Sequence, residues 1–389
     1  MTQTTPDNKV LLIGDNFRLT IEFSNILRKN GFRVHVAGWL DLSLQKSKHI
    51  EKYYSWDIMK SVKEYINKLR HIIKENNYTY VIPVNDGALD VCRIASHDIR
   101  KYSELLGLPD SEQYMYSNNR FILNKKLQEM SFPAPASFII KSIDEFSKTN
   151  TAFPCIAKPV SSWKIFNDAL YFLLVIKINS RDEINKIEEN ITKSEIIIQE
   201  YISGEEIGYN FFAINGEVIQ SYFDKQIHGF IGFESSYRKI IPADKTLEEQ
   251  AKRLIKEIKW TGLGMFDIRV NETGGYIIEL NGRPWTSIAL GRYANRDMLQ
   301  LFIDHFVFGK EYTSPGKLKM KRIRNLKLDF KYALHVLRGK EYKKFIIWIF
   351  ELFLIFSPTE KMEDNLFNDF RFQLSLAKWH LKNLFTRHS

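Results

Sequence analysis

Two short apolar segments around a glycine-bearing loop place the strongest constraint on how this chain can fold. Residues 264–269 and 276–284 flank the loop 271–275, which ends in two glycines. A loop of this kind favours a β-hairpin, so the two segments are predicted to pair antiparallel. That pairing should set Asp267 directly across from Glu279.

The polar side chains of this hairpin predict a site for a divalent cation. Side chains alternate along a strand, so Glu279 and Asn281 should point to the same face. Asp267, which pairs with Glu279 from the neighbouring strand, should share that face. Two carboxylates and a carboxamide are ligands that suit Mg²⁺, which is usually completed by nucleotide phosphates. Arg283, two residues further on, adds a fixed cation for a phosphate or a developing oxyanion. The alternative is an ordinary hairpin whose polar side faces water.

Two further segments carry features of a nucleotide site. Residues 153–159 read as a short buried strand with Lys158 near its end, because Pro159 cannot extend a hydrogen-bonded ladder. Such a lysine is either a solvated rim residue or a ligand of α and β phosphates. Residues 196–202 read as an apolar strand that runs into a polar turn, and such a linker can hold adenine through backbone groups.

The order of these motifs resembles the ATP-grasp superfamily. The chain carries F-P-x-x-x-K-P, then Q-E-Y-I-S-G-E-E, then F-D-I-R and I-I-E-L-N-G-R-P. The resemblance covers roughly residues 9 to 310. Within the superfamily, the stretch E-L-N-G-R-P-W-T-S-I-A-L is most similar to the predicted ATP-dependent carboxylate-amine ligases related to D-aspartate ligase.

The resemblance implies an ATP-grasp ligase that joins a carboxylate to an amine through an acyl phosphate, with ATP and one or two Mg²⁺ ions that Mn²⁺ can replace. The implied catalytic residues are Arg283 and Lys158. The implied nucleotide-binding residues are Arg120, Lys158, Gln199, Glu200, Tyr201, Ile202 and Glu206, with Glu205 as the alternative to Glu206. The implied metal ligands are Asp267, Glu279 and Asn281. Two other functions stay open: different phosphoryl-transfer or carboxylation chemistry, and non-catalytic ATP binding.

One segment departs from the pattern of the superfamily. Many relatives follow the lysine strand with a glycine-rich loop that closes over the phosphates, but residues 160–168 contain no glycine. Closure over phosphate by this segment is therefore an open question. The later segment 226–236 does contain glycine, and it either covers the second substrate or forms a long hairpin tip.

The N-terminal part reads as an α/β unit with a parallel sheet. Short apolar strands at residues 10–13, 34–36 and 80–84 alternate with helical patterns, and such alternation is typical of parallel sheets. Residues 14–16 and 85–87 should lie at the carboxyl ends of strands, where open parallel sheets bind ligands. They are expected to contact substrate, or else they only form turns.

The C-terminal part is strongly basic. Residues 317–344 contain eleven Lys or Arg and two acidic residues, so their net charge of +9 accounts for most of the chain's +10. The helical spacing of the apolar residues Ile323, Leu326, Phe330, Leu334 and Leu337 predicts one basic amphipathic helix here, followed by the apolar run 345–356. A run of twelve residues is too short to cross a bilayer, which needs about 20. We expect it to contact an anionic membrane or a protein partner, or to pack on the fold; the spacing argues against nucleic acid.

Composition agrees with an α/β and α+β protein of several domains. Apolar residues make up 44% of the 389 positions, enough for a sizeable core. We predict a pre-ATP-grasp domain at 1–115, an ATP-grasp domain at 116–312 with its cleft between 116–204 and 205–312, and a basic helical segment at 313–389.

Two cysteines in apolar surroundings and an N-terminus without a signal pattern predict a cytoplasmic protein, at most peripheral to the inner membrane face.

Overall fold

The computed structural model describes residues 8–14, 16–39, 42–229, 235–363, 369–376 and 378. Its architecture agrees with the predicted fold class: a parallel α/β unit, a middle part with two sheets, and helices towards the C-terminus. Among these residues, no helix is both long and apolar enough to cross a membrane. Cys92 and Cys155 are buried free thiols, as expected from their apolar neighbours.

The N-terminal unit is a parallel sheet covered by helices. Its elements are β1 (Lys9–Ile13), α1 (Phe17–Lys29), β2 (Arg33–Gly38), a 3₁₀ turn (Leu42–Lys46), β3 (Lys52–Ser55), α2 (Val62–Asn76), β4 (Tyr80–Pro83), α3 (Asp86–Arg100) and β5 (Glu104–Leu105). The described strands lie in the order β3-β2-β1-β4-β5 and all pair in parallel. The inner strands are apolar on both faces because helices cover both sides of such a sheet.

Residues 111–200 form the first half of the part that the sequence predicts to bind nucleotide, called the nucleotide-binding part below. The elements are α4 (Ser111–Asn118), α5 (Arg120–Glu129), β6 (Ser137–Ile140), α6 (Ile143–Ser147), β7 (Cys155–Pro159), β8 (Trp163–Phe166), β9 (Ala169–Phe172), β10 (Ile176–Ile178), a 3₁₀ turn (Arg181–Ile187), α7 (Glu188–Ile191) and β11 (Ile196–Glu200). Strands β10-β7-β11-β6 form an antiparallel sheet, and β8 pairs with β9 in a separate hairpin.

The second half is a larger, mainly antiparallel sheet. Its elements up to residue 306 are β12 (Glu205–Ile214), β13 (Glu217–His228), β14 (Tyr237–Ile241), α8 (Lys245–Glu257), β15 (Gly262–Asn271), β16 (Gly274–Asn281), α9 (Ala289–Tyr293) and α10 (Met298–Phe306). The N-terminal unit packs on this sheet through an apolar interface, in which the rings of Phe23 and Phe302 lie 6.1 Å apart, edge to face. This contact fixes the N-terminal unit against the sheet that carries the candidate metal ligands.

The C-terminal part continues the same sheet before it becomes helical. Its elements are β17 (Arg322–Arg324), α11 (Leu326–Arg338), α12 (Tyr342–Leu352), a 3₁₀ turn (Phe353–Phe356) and β18 (Glu360–Met362). Strand β17 pairs antiparallel with β14 and parallel with β18. The described strands of the larger sheet therefore run in the order β16-β15-β12-β13-β14-β17-β18.

The prediction of a single helix over residues 317–344 is wrong. Ile323, which falls at the expected helical spacing, instead lies buried in β17. Helix α11 begins only at Leu326, because the side chain of Asn325 accepts a hydrogen bond from the backbone N–H of Leu328 and caps the first turn. It ends at Gly339, after which α12 folds back against it.

A buried ionic network attaches these helices to the sheet. The guanidinium of Arg324 donates to Glu360 at 2.7 Å and to Asp329 at 2.5 Å, and neither partner is exposed. Asp329 also accepts from the indole N–H of Trp348 at 2.8 Å and lies 2.8 Å from Nδ1 of His228. Burial by itself would lower the pKa of His228, but Asp329 and Glu351 outweigh it and raise that pKa.

We expect Asp329→Ala to lower the free energy of unfolding by about 3–5 kcal/mol, because it removes one of the two carboxylates that pair with the buried Arg324 and also the acceptor for Trp348 and His228. The measurement is urea-induced unfolding followed by far-UV circular dichroism. The matched control is Asp304→Ala, which breaks an exposed ion pair with Lys310 and should cost about 1 kcal/mol or less. Equal losses in the two variants would contradict the importance of the network.

Candidate functional site

The hairpin of β15 and β16 brings the predicted metal ligands together. Asp267 lies directly opposite Glu279, as predicted from the sequence, and Asn281 lies two residues further along the same strand. The carboxamide nitrogen of Asn281 donates to Asp267 at 2.9 Å. A bulge follows Asp267 in the ladder, and bulges of this kind re-aim neighbouring side chains. The three oxygen-bearing groups thus occupy one face of the hairpin.

Arg120 joins the two halves of the nucleotide-binding part at this face. It is the first residue of α5, and its side chain is buried. Its guanidinium donates to Glu279 at 2.7 Å, to the carbonyl of Pro159 at 3.0 Å and to the hydroxyl of Ser162. One cation therefore links β7, the segment that follows it, and β16.

The side chain of Lys158 is buried. It lies in β7, and among the residues that the structure describes its ammonium has no hydrogen-bond partner. Burial, and then the charge of Arg120, lowers the pKa of Lys158 to about 7, although Glu279 and Asp267 oppose the change. A desolvated ammonium of this kind is costly for the fold and well suited to receive an anion.

The two carboxylates respond differently to their surroundings. Burial, and then the charges of Glu206 and Glu279, raises the pKa of Asp267 to about 7. Burial would also raise the pKa of Glu279, but Arg120, together with Lys158 and Arg283, outweighs it and lowers that pKa. The Asp267 carboxylate thus stands next to like charges, a situation that a divalent cation would relieve.

The donor set fits a cation that takes part of its coordination from a ligand. Within the described residues, no group of three or more His, Cys, Asp or Glu side chains is arranged to hold a metal ion. Two carboxylates and one carboxamide remain, which matches an Mg²⁺ site completed by phosphate and water. The carboxamide oxygen of Asn281 accepts from Arg283 at 3.0 Å, so metal coordination by that oxygen would have to replace this hydrogen bond.

Arg283 is held from the N-terminal unit. Its Nε donates to a carboxylate oxygen of Asp86 at 2.9 Å, and Asp86 is the first residue of α3. The sequence predicted Asp86 as a substrate contact and did not reveal this ion pair, because the two residues are 197 positions apart. Helix α3 thereby orients the cation at the end of the metal strand.

The turns at the carboxyl ends of β1 and β4 supply helix caps. The side chain of Asn85 accepts from the backbone N–H of Ala88 at 2.9 Å, and that of Asn16 accepts from Leu19 at 3.3 Å. Gly14 has φ +108°, a conformation that side-chain-bearing residues rarely adopt. These contacts agree with the alternative prediction that residues 14–16 and 85–87 form turns. Asp15 lies outside the described residues.

The residues predicted to contact adenine lie at the end of β11 and just after it. Gln199 is buried and Glu200 is exposed, and the carboxylate of Glu200 accepts from the backbone N–H of Ala136 at 3.1 Å. Tyr201 is partly buried and faces the ammonium of Lys177, 4.0 Å from its ring centre. Ile202 follows as a buried residue. The adenine role of this segment stays a prediction.

Glu206, predicted to contact ribose, takes part in a charge cluster that the sequence did not reveal. Its carboxylate accepts from Arg269 at 2.9 Å and from Arg238 at 3.4 Å. Arg238 also donates twice to Asp224, at 2.8 and 3.0 Å, and both of these residues are buried. The alternative, Glu205, is more exposed and pairs with Lys225.

Gly208 makes room for the Arg238 cluster. It lies between Asp224 on β13 and Asp267 on β15 in the paired strands. A Cβ at this position would approach the Asp224 carboxylate to 2.6 Å and the Arg238 guanidinium to 3.2 Å. A glycine inside a strand is the one sequence signal that could have indicated such a close approach.

The glycine-free segment after Lys158 folds as the hairpin of β8 and β9 and is docked on the N-terminal unit. Asp168 at its tip accepts hydrogen bonds from the hydroxyl of Ser61 at 2.6 Å and from the backbone N–H of Lys63 at 2.9 Å. Its backbone carbonyl accepts from Val62 at 2.7 Å, so the tip caps the start of α2. Leu170 is buried in the apolar core of that unit.

The glycine-bearing segment 226–236 is the tip of the antiparallel pair β13 and β14. Residues 230–234 of this segment lie outside the described part of the chain. The structure thus agrees with the hairpin-tip interpretation of its ends, and contact with a second substrate stays a prediction.

Comparison with known proteins identifies the domain that carries these residues. The family model for the ATP-grasp domain matches residues 117–287. No curated protein sequence gives a significant match.

Several solved structures share the fold at low sequence identity. L-amino acid ligase from Bacillus licheniformis is 15% identical, with a TM-score of 0.62 over 81% of this chain and 76% of that one. N5-carboxyaminoimidazole synthetase from Staphylococcus aureus is 15% identical, with a TM-score of 0.60 over 82% of each chain. The biotin carboxylase domain of 2-oxoglutarate carboxylase from Hydrogenobacter thermophilus, in complex with MgADP, ADP and bicarbonate, is 14% identical, with a TM-score of 0.61 over 81% of this chain and 72% of that one.

We expect Lys158→Met to leave the melting temperature of the ligand-free protein unchanged or higher, because it removes a buried ammonium that has no partner in the described residues. The same variant should bind MgATP about 10- to 100-fold more weakly, since a charged hydrogen bond to phosphate is lost. Thermal unfolding with and without MgATP measures both effects. Lys141→Met, an exposed lysine after β6 in the same sheet, is the control and should behave like the wild type.

Proposed function

We propose that this chain, whose residues 117–287 form an ATP-grasp domain, is an ATP-dependent ligase that joins a carboxylate to an amine. The observation that carries the proposal is the convergence of two buried cations, Lys158 and Arg120, on the carboxylates of β15 and β16. The two cations belong to one half of the nucleotide-binding part and the carboxylates to the other. A nucleoside triphosphate with a divalent cation is the ligand whose charges match both halves.

The cations would bind the phosphate groups. The ammonium of Lys158 needs an anion, and phosphate oxygens would supply the hydrogen bonds that it lacks among the described residues. Arg120 would exchange part of its contact with Glu279 for phosphate, since its guanidinium has several donors in a fixed fork. Neutralisation of the phosphates by both residues would favour phosphoryl transfer.

Asp267, Glu279 and Asn281 would hold Mg²⁺, as one ion or two, with Mn²⁺ as a substitute. The raised pKa of Asp267, caused first by burial and then by the charges of Glu206 and Glu279, supports this assignment, because a bound cation would offset both effects. When bound, the metal would supply Lewis-acid stabilisation of the transferred phosphoryl group. Glu279 would then be shared between the metal and Arg120.

The reaction would proceed in two steps. An oxygen of the substrate carboxylate attacks the γ-phosphorus, the bond to the β-phosphate oxygen breaks, and ADP leaves with an acyl phosphate as the product. The amine then attacks the acyl carbon, loses a proton, and expels phosphate to leave an amide. Arg283, held by Asp86, would stabilise the negative oxygen of the tetrahedral intermediate.

Carboxylation by way of carboxyphosphate is the second candidate. It is supported by the fold similarity to the biotin carboxylase domain in complex with MgADP and bicarbonate. Both candidates use the same phosphate and metal groups and differ only in the acceptor. A reducing, cytoplasmic location is part of the proposal, because Cys92 and Cys155 are buried free thiols.

We expect wild-type protein to release ADP from MgATP only when a suitable acceptor is present, and Glu279→Gln to lower that rate at least about 100-fold, since even outer partners of a metal contribute about 10- to 100-fold. Glutamine keeps the shape and a hydrogen-bond acceptor for Arg120. The assay couples ADP release to a panel of amino acids, other carboxylates and bicarbonate, and uses hydroxylamine to trap an acyl phosphate.

The control for this experiment is Glu272→Gln. Glu272 is an exposed carboxylate in the turn of the same hairpin, so its variant should retain wild-type turnover. Stimulation by bicarbonate alone would favour carboxylation. Equal ADP release by wild type and Glu279→Gln would refute the metal assignment.

We expect Asp86→Ala to lower kcat about 10- to 100-fold with little change in KM for ATP, because a displaced Arg283 misaligns the reacting groups without touching the nucleotide. Asp86→Asn, which retains a hydrogen-bond acceptor, should restore part of the loss. Steady-state kinetics with the acceptor found in the screen provide the measurement.

Asp98→Ala is the control, because it removes an aspartate of the same helix α3 that pairs only at the surface, with Arg70 and Lys101. Its kinetics should match the wild type. A purely structural role of Asp86 would instead change the melting temperature and leave the ratio of kcat to KM near normal.

A further inference from the structure

The two C-terminal helices and the 3₁₀ turn after them expose many large apolar side chains. Helices α11 and α12 pack against each other as a helical hairpin, with the rings of Phe330 and Trp348 5.3 Å apart. Along their outer sides run large apolar side chains that are all exposed. We call this surface the C-terminal apolar face, and it consists of Phe330, Leu334, Leu337, Tyr342, Ile346, Ile347, Ile349, Phe350, Phe353 and Phe356.

The four phenylalanines of this face alone are comparable in area to the largest apolar patch of a typical monomer. Phe330, Phe350, Phe353 and Phe356 are 49%, 70%, 67% and 87% exposed. These four rings alone present on the order of 500 Å² of apolar surface, taking about 200 Å² for a whole ring side chain. The largest apolar patch on a typical monomer is about 300–600 Å² in total and is often functional.

The exposed apolar residues lie on a different side of each helix from the residues that pack against the rest of the protein. Helix α11 turns Asp329, Ala333 and Val336 inward, at spacings of four and three residues. Helix α12 buries Trp348, whose indole bonds Asp329. Both helices therefore already have a buried side, and the apolar face is an additional, outward surface.

Among the described residues, the charges that border the face are mainly positive. Arg338, Lys340 and Lys343 are exposed at the turn between the two helices and at the start of α12. The one acidic residue inside the apolar run, Glu351, turns inward, with its carboxylate 2.7 Å from Nε2 of His228. The acid at the start of α12, Glu341, is 41% exposed and pairs with Lys344. The described border of the face, with Arg338, Lys340, Lys343 and Lys344 against Glu341, therefore has a net positive charge.

The dimensions fit a helix that lies in a membrane surface. Helix α12 has 11 residues, and at 1.5 Å per residue it is about 16 Å long. The hydrocarbon core of a bilayer is about 30 Å thick. A short amphipathic helix with Phe and Ile on one side and Lys and Arg at its border inserts into the interface and binds anionic lipids.

We propose that the C-terminal apolar face docks this protein on the surface of an anionic lipid bilayer. Phe350, Phe353 and Phe356 insert among the acyl chains, and Arg338, Lys340 and Lys343 contact lipid phosphates. A protein partner is the weaker match, because the face combines three exposed rings in one stripe with a border of net positive charge. The ionic network of Arg324 and Asp329 fixes this face to the sheet that carries the candidate active site.

The test uses the full-length protein and flotation with vesicles of phosphatidylcholine containing 30% phosphatidylglycerol or none. Wild type should float with the anionic vesicles and remain with the soluble fraction when the vesicles are neutral. Binding should weaken as salt rises, because the cations contribute through screened charge. Equal binding to both vesicle types, or none to either, would overturn the proposal.

Two triple variants separate the apolar and the charged contributions. Phe350→Ser, Phe353→Ser and Phe356→Ser together should reduce binding at least about 10-fold, because the inserted rings are lost. Arg338→Glu, Lys340→Glu and Lys343→Glu together should reduce it by more than about 100-fold, since each basic residue near an anionic surface contributes roughly fivefold. Wild-type binding by either variant would contradict the proposal.

Matched variants on distant surfaces control for altered solubility and charge. Ile94→Ser, Tyr102→Ser and Phe308→Ser remove three exposed apolar side chains outside the C-terminal part, and Lys60→Glu, Lys141→Glu and Lys186→Glu reverse three exposed charges. Both should bind vesicles like the wild type, and loss of binding in either would overturn the assignment to this face.

Light scattering without vesicles completes the test. A concentration-dependent dimer that the phenylalanine variant abolishes, in a protein that does not float, would assign the face to a second copy of the chain and overturn the proposal. Vesicle binding does not depend on the proposed ligase activity. ADP release should be unchanged in the phenylalanine variant, so the two proposals can fail separately.

Discussion

The ion pair between Arg120 and Glu279 is the contact on which the candidate site depends. It joins a helix in one half of the ATP-grasp domain to a strand in the other, across 159 positions of sequence. It also satisfies charges that would be costly to bury singly. The ammonium of Lys158 is buried and has no hydrogen-bond partner among the described residues, and in the proposed function phosphate oxygens take that place.

The sequence predicted the strands of the site better than the contacts around them. Alternation and the glycine loop were enough to pair Asp267 with Glu279, because local geometry sets the register of a hairpin. The same reasoning could not find Asp86 beside Arg283, or Arg238 between Asp224 and Glu206. These contacts depend on how separate units pack, and no local pattern records that.

The C-terminal part shows a different limit of sequence reasoning. Ile323 fits a helical repeat but lies in β17, where its strand pairs with the edge of β14. Pairing with an existing sheet outweighs a helical propensity, which is a weak preference for each residue. Phe330, Leu334 and Leu337 were expected on one apolar face, and they do share one, yet it is turned outward while Asp329 is buried. Spacing reveals that residues share a face, whereas the direction of that face is set by a buried ionic network.

The continuation of the sheet by β17 and β18 means that the ATP-grasp module is not autonomous. A fragment that stops at residue 312 would leave β14 as an edge strand with open backbone donors and acceptors. Such an edge invites pairing with other chains and aggregation. Strand β17 therefore covers the edge of β14, and the C-terminal helices that carry the apolar face are joined to the same sheet through it.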